Sequence, residues 1–444
     1  MLAACSPGRG GEPPAATSTT TAPATGGSAR VGVWGEPDPA APTLGGAAVR
    51  ALVLPQLFVA GPDGRWRPSL VVPGSDATAP DRRSASFRLR AGSWSDGTPV
   101  SADDLRRSAD GRFVAGVDGP GPDGSVTVRF TQPLPGWRRL WSGVDSVAPP
   151  GPGVWGGPFV VASYQPGLEV VLRRHDGWYG ERGPFLDELR LVLVPDESIA
   201  QRLLARGELD ALLPLAATAR RPQLAALDGV EVAAADRSGW WTGLLLQPAR
   251  LPVEVRRAAA ATIDRAAFVG TLLAGEAAPL ESFVPGARTW VDVTAGDARA
   301  LAGRTVDLVG LVEEPMTALL ERSMQKRART AGGRFDPRNA EADRVEPWVA
   351  AGEFDAALVV AYDSPAVCWR CRWAPVDEAR ASAADAGDRA AAVALEARLR
   401  DEAIVLPLWR PVPVVAWRTG LAGVAPNGYA LSAAWNAWEW YRPR

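Results

Sequence analysis

Few residues in this chain have side chains that could do chemistry, and their spacing excludes the common catalytic sites. Cys368 and Cys371 form a C-x-x-C pair, but residues 372–375 do not read as the helix start that a redox-active pair requires. A structural zinc site needs about four ligands, and His175 is the only histidine. A serine–histidine–aspartate arrangement would have to use that histidine, which stands at a predicted strand end. We therefore expect no catalytic residue, no metal site and no cofactor.

Two glycine patterns and two acidic pairs are also better explained without catalysis. The G-x-G-x-x-G patterns that begin at Gly119 and Gly151 each carry a proline after the first glycine, and neither leads into a helix. A dinucleotide-binding loop needs a strand before it and a helix N-terminus after it. The acidic pairs, at 103–104 and 313–314, stand at predicted helix starts, where the helix dipole favours them. The sequence thus predicts a protein that is not an enzyme.

The elements that would position a site alternate between strand and helix along the chain. Apolar runs predict strands, and apolar residues at helical spacing predict helices. The strands are expected at 30–34, 189–194, 305–312 and 354–361, and the helices at 196–206, 315–331 and 389–403. This alternation favours an α/β architecture.

The most diagnostic stretch runs from Arg90 to Leu105 and reads R-A-G-S-W-S-D-G-T-P-V-S-A-D-D-L. It follows a polar–apolar alternation that predicts a strand. Asp96-Gly97 is a turn signal, since glycine accepts the positive φ that such turns need. Ser101, with Asp104 three residues later, predicts a capping box at the start of a helix.

This stretch resembles the F-x-L-R-x-G-x-x-(W/F)-S-D-G segment of the family 5 solute-binding proteins, which deliver peptides and other solutes to ABC importers. Five further segments are similar to motifs of that family and stand in the same order: 53–70, 156–179, 199–210, 255–268 and 353–365. The resemblance implies an α/β, two-lobed, periplasmic-binding-protein-like (class II) clamshell. The segment after Leu105 is shorter than in the family, so the extra subdomain of lobe one should be reduced.

The resemblance also implies how the chain is divided. Residues 1–30 are expected to hold the lipobox and a flexible tether, 31–238 lobe one with the reduced subdomain at about 51–154, 239–405 lobe two, and 406–444 the return to lobe one. A chain that leaves one lobe and later returns to it makes a two-strand hinge, which suits a clamshell.

The N-terminus suggests a lipid anchor. Leu2-Ala3-Ala4-Cys5 resembles the bacterial lipobox, and the Pro-, Gly-, Ser- and Thr-rich residues 6–29 have the composition of a tether. No basic region and only a stub of apolar region precede Cys5, so an incidental cysteine in a disordered tail is the alternative. A lipid on Cys5 would place the protein on the extracytoplasmic face of a bacterial membrane. In that compartment Cys368 and Cys371 are expected to form a disulfide.

The composition excludes two other classes of partner. The 444 residues carry a formal net charge of −2 at pH 7, which gives no reason to expect nucleic acid. No apolar run approaches the ~20 residues that a membrane-spanning helix needs. Membrane contact would therefore depend on the lipid.

The candidate ligand contacts come from the resemblance and from aromatic chemistry. In relatives, an acidic residue of the D-x-P motif pairs with the amino group of the ligand. That position is Asp363 here, and a loop cap before Pro365 is the alternative. Large aromatic side chains suit a ligand cleft, although a core or lobe-interface position is the alternative for each of them. The aromatic candidates are Trp34, Trp240, Trp241, Tyr362, Trp369 and Tyr429.

The function implied by the resemblance is capture and delivery of a solute. A monomeric cell-surface lipoprotein would hold a small solute, a peptide or peptide-like compound, between closing lobes. It would then deliver the solute to an ABC permease and ATPase complex. The alternative is a non-transport lipoprotein of the same fold that acts as a regulator or scaffold in cell-envelope metabolism.

Overall fold

The structure is a computed structural model that describes most of the folded part of the chain. The described residues are 23, 25–41, 43–134, 136–142, 146–212, 217–236, 238–272, 278–280, 282, 297–312, 315–362, 389–410, 413–430 and 432–443. The account below concerns these residues.

Strands and helices alternate as predicted. The strands are β1 (Ser28–Val33), β2 (Phe58–Ala60), β3 (Trp66–Pro68), β4 (Ala77–Thr78), β5 (Ser84–Arg88), β6 (Val114–Asp118), β7 (Ser125–Phe130), β8 (Phe159–Gln165), β9 (Glu169–Arg174), β10 (Glu188–Leu193), β11 (Ala211–Leu212), β12 (Val230–Ala234), β13 (Trp240–Leu246), β14 (Ala278–Pro279), β15 (Thr305–Leu311), β16 (Arg334–Ala340), β17 (Ala356–Tyr362), β18 (Val405–Arg410) and β19 (Val414–Arg418).

The helices are α1 (Leu44–Val53), α2 (Ala102–Arg107), α3 (Glu197–Arg206), α4 (Ala217–Ala225), α5 (Val253–Ala260), α6 (Arg265–Leu272), α7 (Pro315–Thr330), α8 (Ala342–Ala351) and α9 (Arg389–Asp401). Short 3-10 helices lie at Trp137–Arg139, Ala298–Leu301 and Ala433–Glu439. Each strand and helix predicted above is present, with bounds within two residues of the prediction.

The first large sheet has the strand order β12-β19-β11-β1-β10-β9-β8. Its centre is parallel, because β1 pairs in parallel with both β10 and β11. The alternating sequence of β1 buries Ala29 and Val31 completely. These side chains join a core that includes α1 and the C-terminal Trp440.

The second large sheet has the order β14-β18-β13-β17-β15-β16 and is covered by helices on both faces. Alternate residues of β13 point to opposite faces. Leu244 and Leu246 pack with α5 and α7, whereas Trp241 and Leu245 pack with α8 and α9. The result is a helix–sheet–helix sandwich.

A third, smaller core lies beneath a four-stranded sheet of order β4-β5-β7-β6. Trp94, Trp137 and Trp141 are almost completely buried in it. The helix that follows the diagnostic stretch, α2, has only six residues. This is the reduced subdomain expected from the sequence.

The chain passes between the two large sheets twice, at neighbouring strands. It leaves the first sheet from β12 and enters the second at β13, then leaves from β18 and returns at β19. The strands β12 and β19 pair with each other, and so do β13 and β18. Arg410 links the two crossings, because its Nη1 donates to the carbonyl of Ser238 at 3.0 Å.

The lobe boundaries at 238/239 and 405/406 stay a prediction. The strand Val405–Arg410 lies wholly in the second sheet, and Val414–Arg418 lies in the first.

Candidate ligand cleft

The crossings fix which edge of the first sheet lies toward the second sheet. Ala234 at the end of β12 pairs with Val414 at the start of β19. Along the same edge lie the carboxyl ends of the parallel strands, where Val33 of β1 pairs with Leu193 of β10. Loops that follow these carboxyl ends are therefore next to the crossings.

The corresponding edge of the second sheet is defined in the same way. Trp240, the first residue of β13, pairs with Tyr362, the last residue of β17. The end of β18 lies nearby, since Trp409 pairs with Thr242 of β13. The two crossings therefore join one edge of the first sheet to one edge of the second.

Three of the predicted ligand contacts lie on these joined edges. Trp34 directly follows β1 on the first sheet, and Trp240 and Tyr362 face each other across the register of the second. Trp34 is half-buried and packs against the apolar cluster that contains Val194 and Leu212. The backbone thus places aromatic residues on both edges. In open α/β sheets, ligands bind outside the carboxyl ends of strands.

Tyr429 lies beside the crossing from the other side. Gly428 accepts a hydrogen bond from the Gly239 amide at 2.9 Å, just before Trp240. The Asn427 amide group donates to the Ala60 carbonyl at 2.8 Å, which ties this segment to the β2–β3 hairpin. The Tyr429 ring covers Gly64, where φ is +76° and a Cβ atom would lie 2.6 Å from Cζ. Glycine is therefore needed at this turn for two reasons.

Trp241 lies elsewhere. Its side chain is 1% exposed and packs among Leu245, Val309 and Ala357 in the core of the second sheet. Such burial argues against direct contact with a ligand, and it follows from the alternation of side chains along β13.

The remaining predicted site residues lie outside the described residues. These are Asp363, Trp369, the lipidation candidate Cys5 and the disulfide candidates Cys368 and Cys371. Their roles stay predictions.

His175 has the structural role that its position suggested. The side chain is buried, and Nδ1 lies 3.0 Å from the Gly157 carbonyl. Within the described ranges, no three histidine, cysteine or acidic side chains lie close enough to hold a metal ion, and no helix there has the length and apolarity to span a membrane.

Sequence reasoning did not find a carboxylate that organises the first-sheet edge. Glu36, two residues after Trp34, accepts a hydrogen bond from the Tyr164 hydroxyl at 2.6 Å. The same carboxylate accepts from the Gly167 amide at 3.1 Å, which pins the tip of the β8–β9 hairpin. This hydrogen bond is the main reason that the pKa of Tyr164 is raised to about 12. No local motif signals this contact, because 128 residues separate its two side chains.

The comparisons with known proteins agree with this geometry. The model of the bacterial extracellular solute-binding proteins, family 5 middle region, matches residues 142–308. This match identifies the chain with the family 5 solute-binding proteins. The matched residues run from the segment before β8 through β15, and so include the first crossing between the sheets.

Solved structures show that the fold is that of two-lobed periplasmic binding proteins. The oligopeptide-binding protein AppA from Bacillus subtilis, in complex with a nonapeptide, has a TM-score of 0.80 and 13% identity, covering 95% of this chain and 100% of that one. The periplasmic EDTA-binding protein EppA has a TM-score of 0.78 and 20% identity, covering 95% and 97%. The family 5 fold expected from the sequence is confirmed.

A curated relative is more similar in sequence but is matched only in part. Protein XP55 of Streptomyces lividans is 27% identical over 320 residues, which are 63% of this chain and 56% of XP55. The match therefore spans little more than half the length of that family 5-like relative.

Proposed function

We propose that this chain captures a peptide or peptide-like solute between its two lobes and delivers it to an ABC importer. The observation that carries the proposal is the pair of neighbouring crossings, which join two aromatic-bearing sheet edges. Two strands that cross side by side allow the lobes to rotate about them, and a solute between the edges would be enclosed by that rotation. The family 5 match over 142–308 supports the same conclusion.

Each part of the proposed cleft has a separate task. Trp34 offers an aromatic surface on the first lobe, and Trp240 and Tyr362 offer one on the second. Asp363, which follows Tyr362 in the chain, would pair with the amino group of the solute. A solute favours the closed form only by its greater affinity for that form, so contacts from both lobes are required.

A peptide is favoured among solutes by a structural relative and by chemistry. AppA is solved with a nonapeptide, whereas EppA is described as binding EDTA, so the fold accepts more than one ligand class. An extended peptide can be held through its backbone as an added strand is held. The candidate carboxylate at Asp363 suits the amino terminus of such a ligand.

The proposal includes a setting outside the cytoplasm. A lipid on Cys5 would hold the protein at the outer face of the cell membrane, and residues 6–29 would let it reach a permease. Two arguments support this setting: the lipobox-like residues before Cys5 and the composition of the tract after it.

A fluorescence titration of the purified protein with a peptide library tests the proposed function. A bound peptide should give a saturable change in tryptophan emission. Asp363→Ala should weaken binding about 10- to 100-fold, since a hydrogen bond to a charged group contributes about 1.5–3 kcal/mol. Acetylating the peptide amino terminus should weaken binding by a similar factor in the parent protein and have little effect in D363A.

The matched control is Asp336→Ala, because Asp336 is an exposed acid on β16 of the same lobe. It should bind like the parent protein. If D336A and D363A lose affinity equally, Asp363 has no specific role. If no peptide in the library gives a saturable change, the transport reading fails and the scaffold or regulatory alternative gains.

A further inference from the structure

A buried carboxyl group in the second lobe takes no part in the proposed cleft. Glu321 of α7 is 8% exposed and faces the strands β15 and β16. Its Oε2 accepts a hydrogen bond from Asn339 Nδ2 at 3.1 Å. The other oxygen, Oε1, is buried and has no hydrogen-bond partner.

The surroundings of Oε1 show which atom would complete the site. Gly310 of β15 pairs with Asn339 of β16. A Cβ atom on Gly310 would lie 3.1 Å from Glu321 Oε1, 2.9 Å from Asn339 Oδ1 and 2.5 Å from Thr317 Cγ2. Two acceptor oxygens thus border the same small space, and a methyl group closes it on another side. The group that would satisfy both oxygens is a single hydrogen.

An ionised carboxylate in this position would be costly. A buried polar atom without a hydrogen bond costs about 1–3 kcal/mol, and more when it carries charge. Glycine at 310 removes the side chain that would otherwise fill the space, so the carboxyl group can reach the strand pair. The arrangement therefore fits the neutral acid better than the anion.

We propose that Glu321 holds a proton on Oε1 and donates it to Asn339 Oδ1. Since Oε2 already accepts from Nδ2, the acid and the amide then form a reciprocal pair of hydrogen bonds between α7 and the edge strand β16. Loss of the proton breaks one of the two bonds and leaves a buried charge. The pair is thus a pH-sensitive fastening within the second lobe.

The electrostatic surroundings agree with a retained proton. Burial is the largest influence on Glu321 and raises its pKa above the usual range, while the Asn339 hydrogen bond and the Arg322 charge act in the opposite direction. Arg322 is exposed and next to Glu321 in α7. The charged groups of the two strands, Asp307, Asp336 and Arg338, stand at alternate positions and so face the other side of the sheet.

The sign of the pH effect follows from the direction of the shift. A carboxyl group whose pKa is higher in the folded state than in the unfolded state stabilises the fold fully below its unfolded pKa. That contribution is lost as the pH rises through the folded value. Because β16 is an edge strand paired only with β15 among the described strands, α7 is a main support that would weaken.

The variant Glu321→Gln separates this proposal from a purely structural role. A glutamine can accept from Asn339 Nδ2 and donate to Asn339 Oδ1, so it makes the reciprocal pair without a titrating proton. The melting temperature of E321Q should equal that of the parent protein near pH 4. It should exceed the parent value by a few degrees at pH 8, since about 1 kcal/mol shifts a domain of this size by roughly 2–4 °C.

The control is Glu231→Gln, an exposed glutamate on the edge strand β12 of the first lobe, which should show no such trend. Infrared spectroscopy of the parent protein gives a second reading that does not depend on a variant. A protonated carboxyl band should persist above the pH at which exposed glutamates ionise and should be absent in E321Q. A melting difference that is the same at all pH values, or the absence of this band, overturns the proposal and indicates a hydrated carboxylate.

Discussion

Replacing Asp104 by alanine should destabilise the small subdomain far more than the same change at the adjacent Asp103. Asp104 is 5% exposed and joins three groups of the diagnostic stretch. Its Oδ2 accepts from Trp94 Nε1 at 3.1 Å and from the Ser101 amide at 2.8 Å. Its Oδ1 accepts from Arg107 at 2.6 Å. Asp103 is mostly exposed and pairs only with Arg106 among its printed side-chain partners.

The magnitude follows from the groups that are left without a partner. In Asp104→Ala, the buried indole N–H of Trp94 loses its acceptor, which costs about 1–3 kcal/mol. The Ser101 amide loses its half of the capping box, worth about 1 kcal/mol. We therefore expect the free energy of unfolding to fall by about 2–4 kcal/mol. Asp103→Ala removes a surface ion pair and should cost about 0.5 kcal/mol.

The assay is urea denaturation of both variants and the parent, followed by tryptophan fluorescence and by far-ultraviolet circular dichroism. Two probes are needed because separate cores can unfold in separate steps. Asp104→Asn keeps an acceptor for Trp94 and Ser101 and should recover about half of the loss. The reasoning is refuted if D104A and D103A differ by less than about 0.5 kcal/mol, since the capping box and the indole bond would then contribute little.

Two further predictions concern the tether and the hairpin. Cys5→Ser, expressed in a bacterium that processes lipoproteins, should move the protein from the membrane fraction to the soluble fraction; equal membrane fractions for both proteins would contradict the lipid anchor. Glu36→Gln should lower the pKa of Tyr164 from about 12 toward 10, because the hydrogen bond to the carboxylate is its main cause. A spectroscopic alkaline titration would then show one tyrosine ionising earlier than in the parent, and the stabilising effect of the bond would be lost as the pH rises through about 12; superimposable titrations would count against it.

Elements with local signals at their ends could be predicted from the sequence. Asp196 caps α3 through the Ile199 amide at 2.8 Å, and Gly207 ends that helix with φ of +73°. Ser101 and Asp104 make the predicted capping box. Each of these features depends on residues a few positions apart, so the pattern in the sequence already contains the physical cause.

Contacts between distant segments could not be predicted in this way. Two adjacent tryptophans, Trp240 and Trp241, look equivalent in the sequence, but only the packing of α8 and α9 decides which one enters the core. Glu321 did leave a signal, because it stands four residues after Thr317 and three before Met324 on the buried stripe of α7. A charge on an apolar stripe indicates burial, yet its partner could be found only once Gly310 and Asn339 were adjacent.

The position of β19 has a consequence for the order in which the protein folds. This strand lies between β12 and β11, so the first sheet stays divided until residues 414–418 have emerged from the ribosome or the export channel. All strands of the second sheet lie within 240–410 and can assemble before that point. The lobe that begins first in the chain is therefore completed last. A chain cut after Arg410 would keep every strand of the second sheet and lose the strand that joins the two parts of the first.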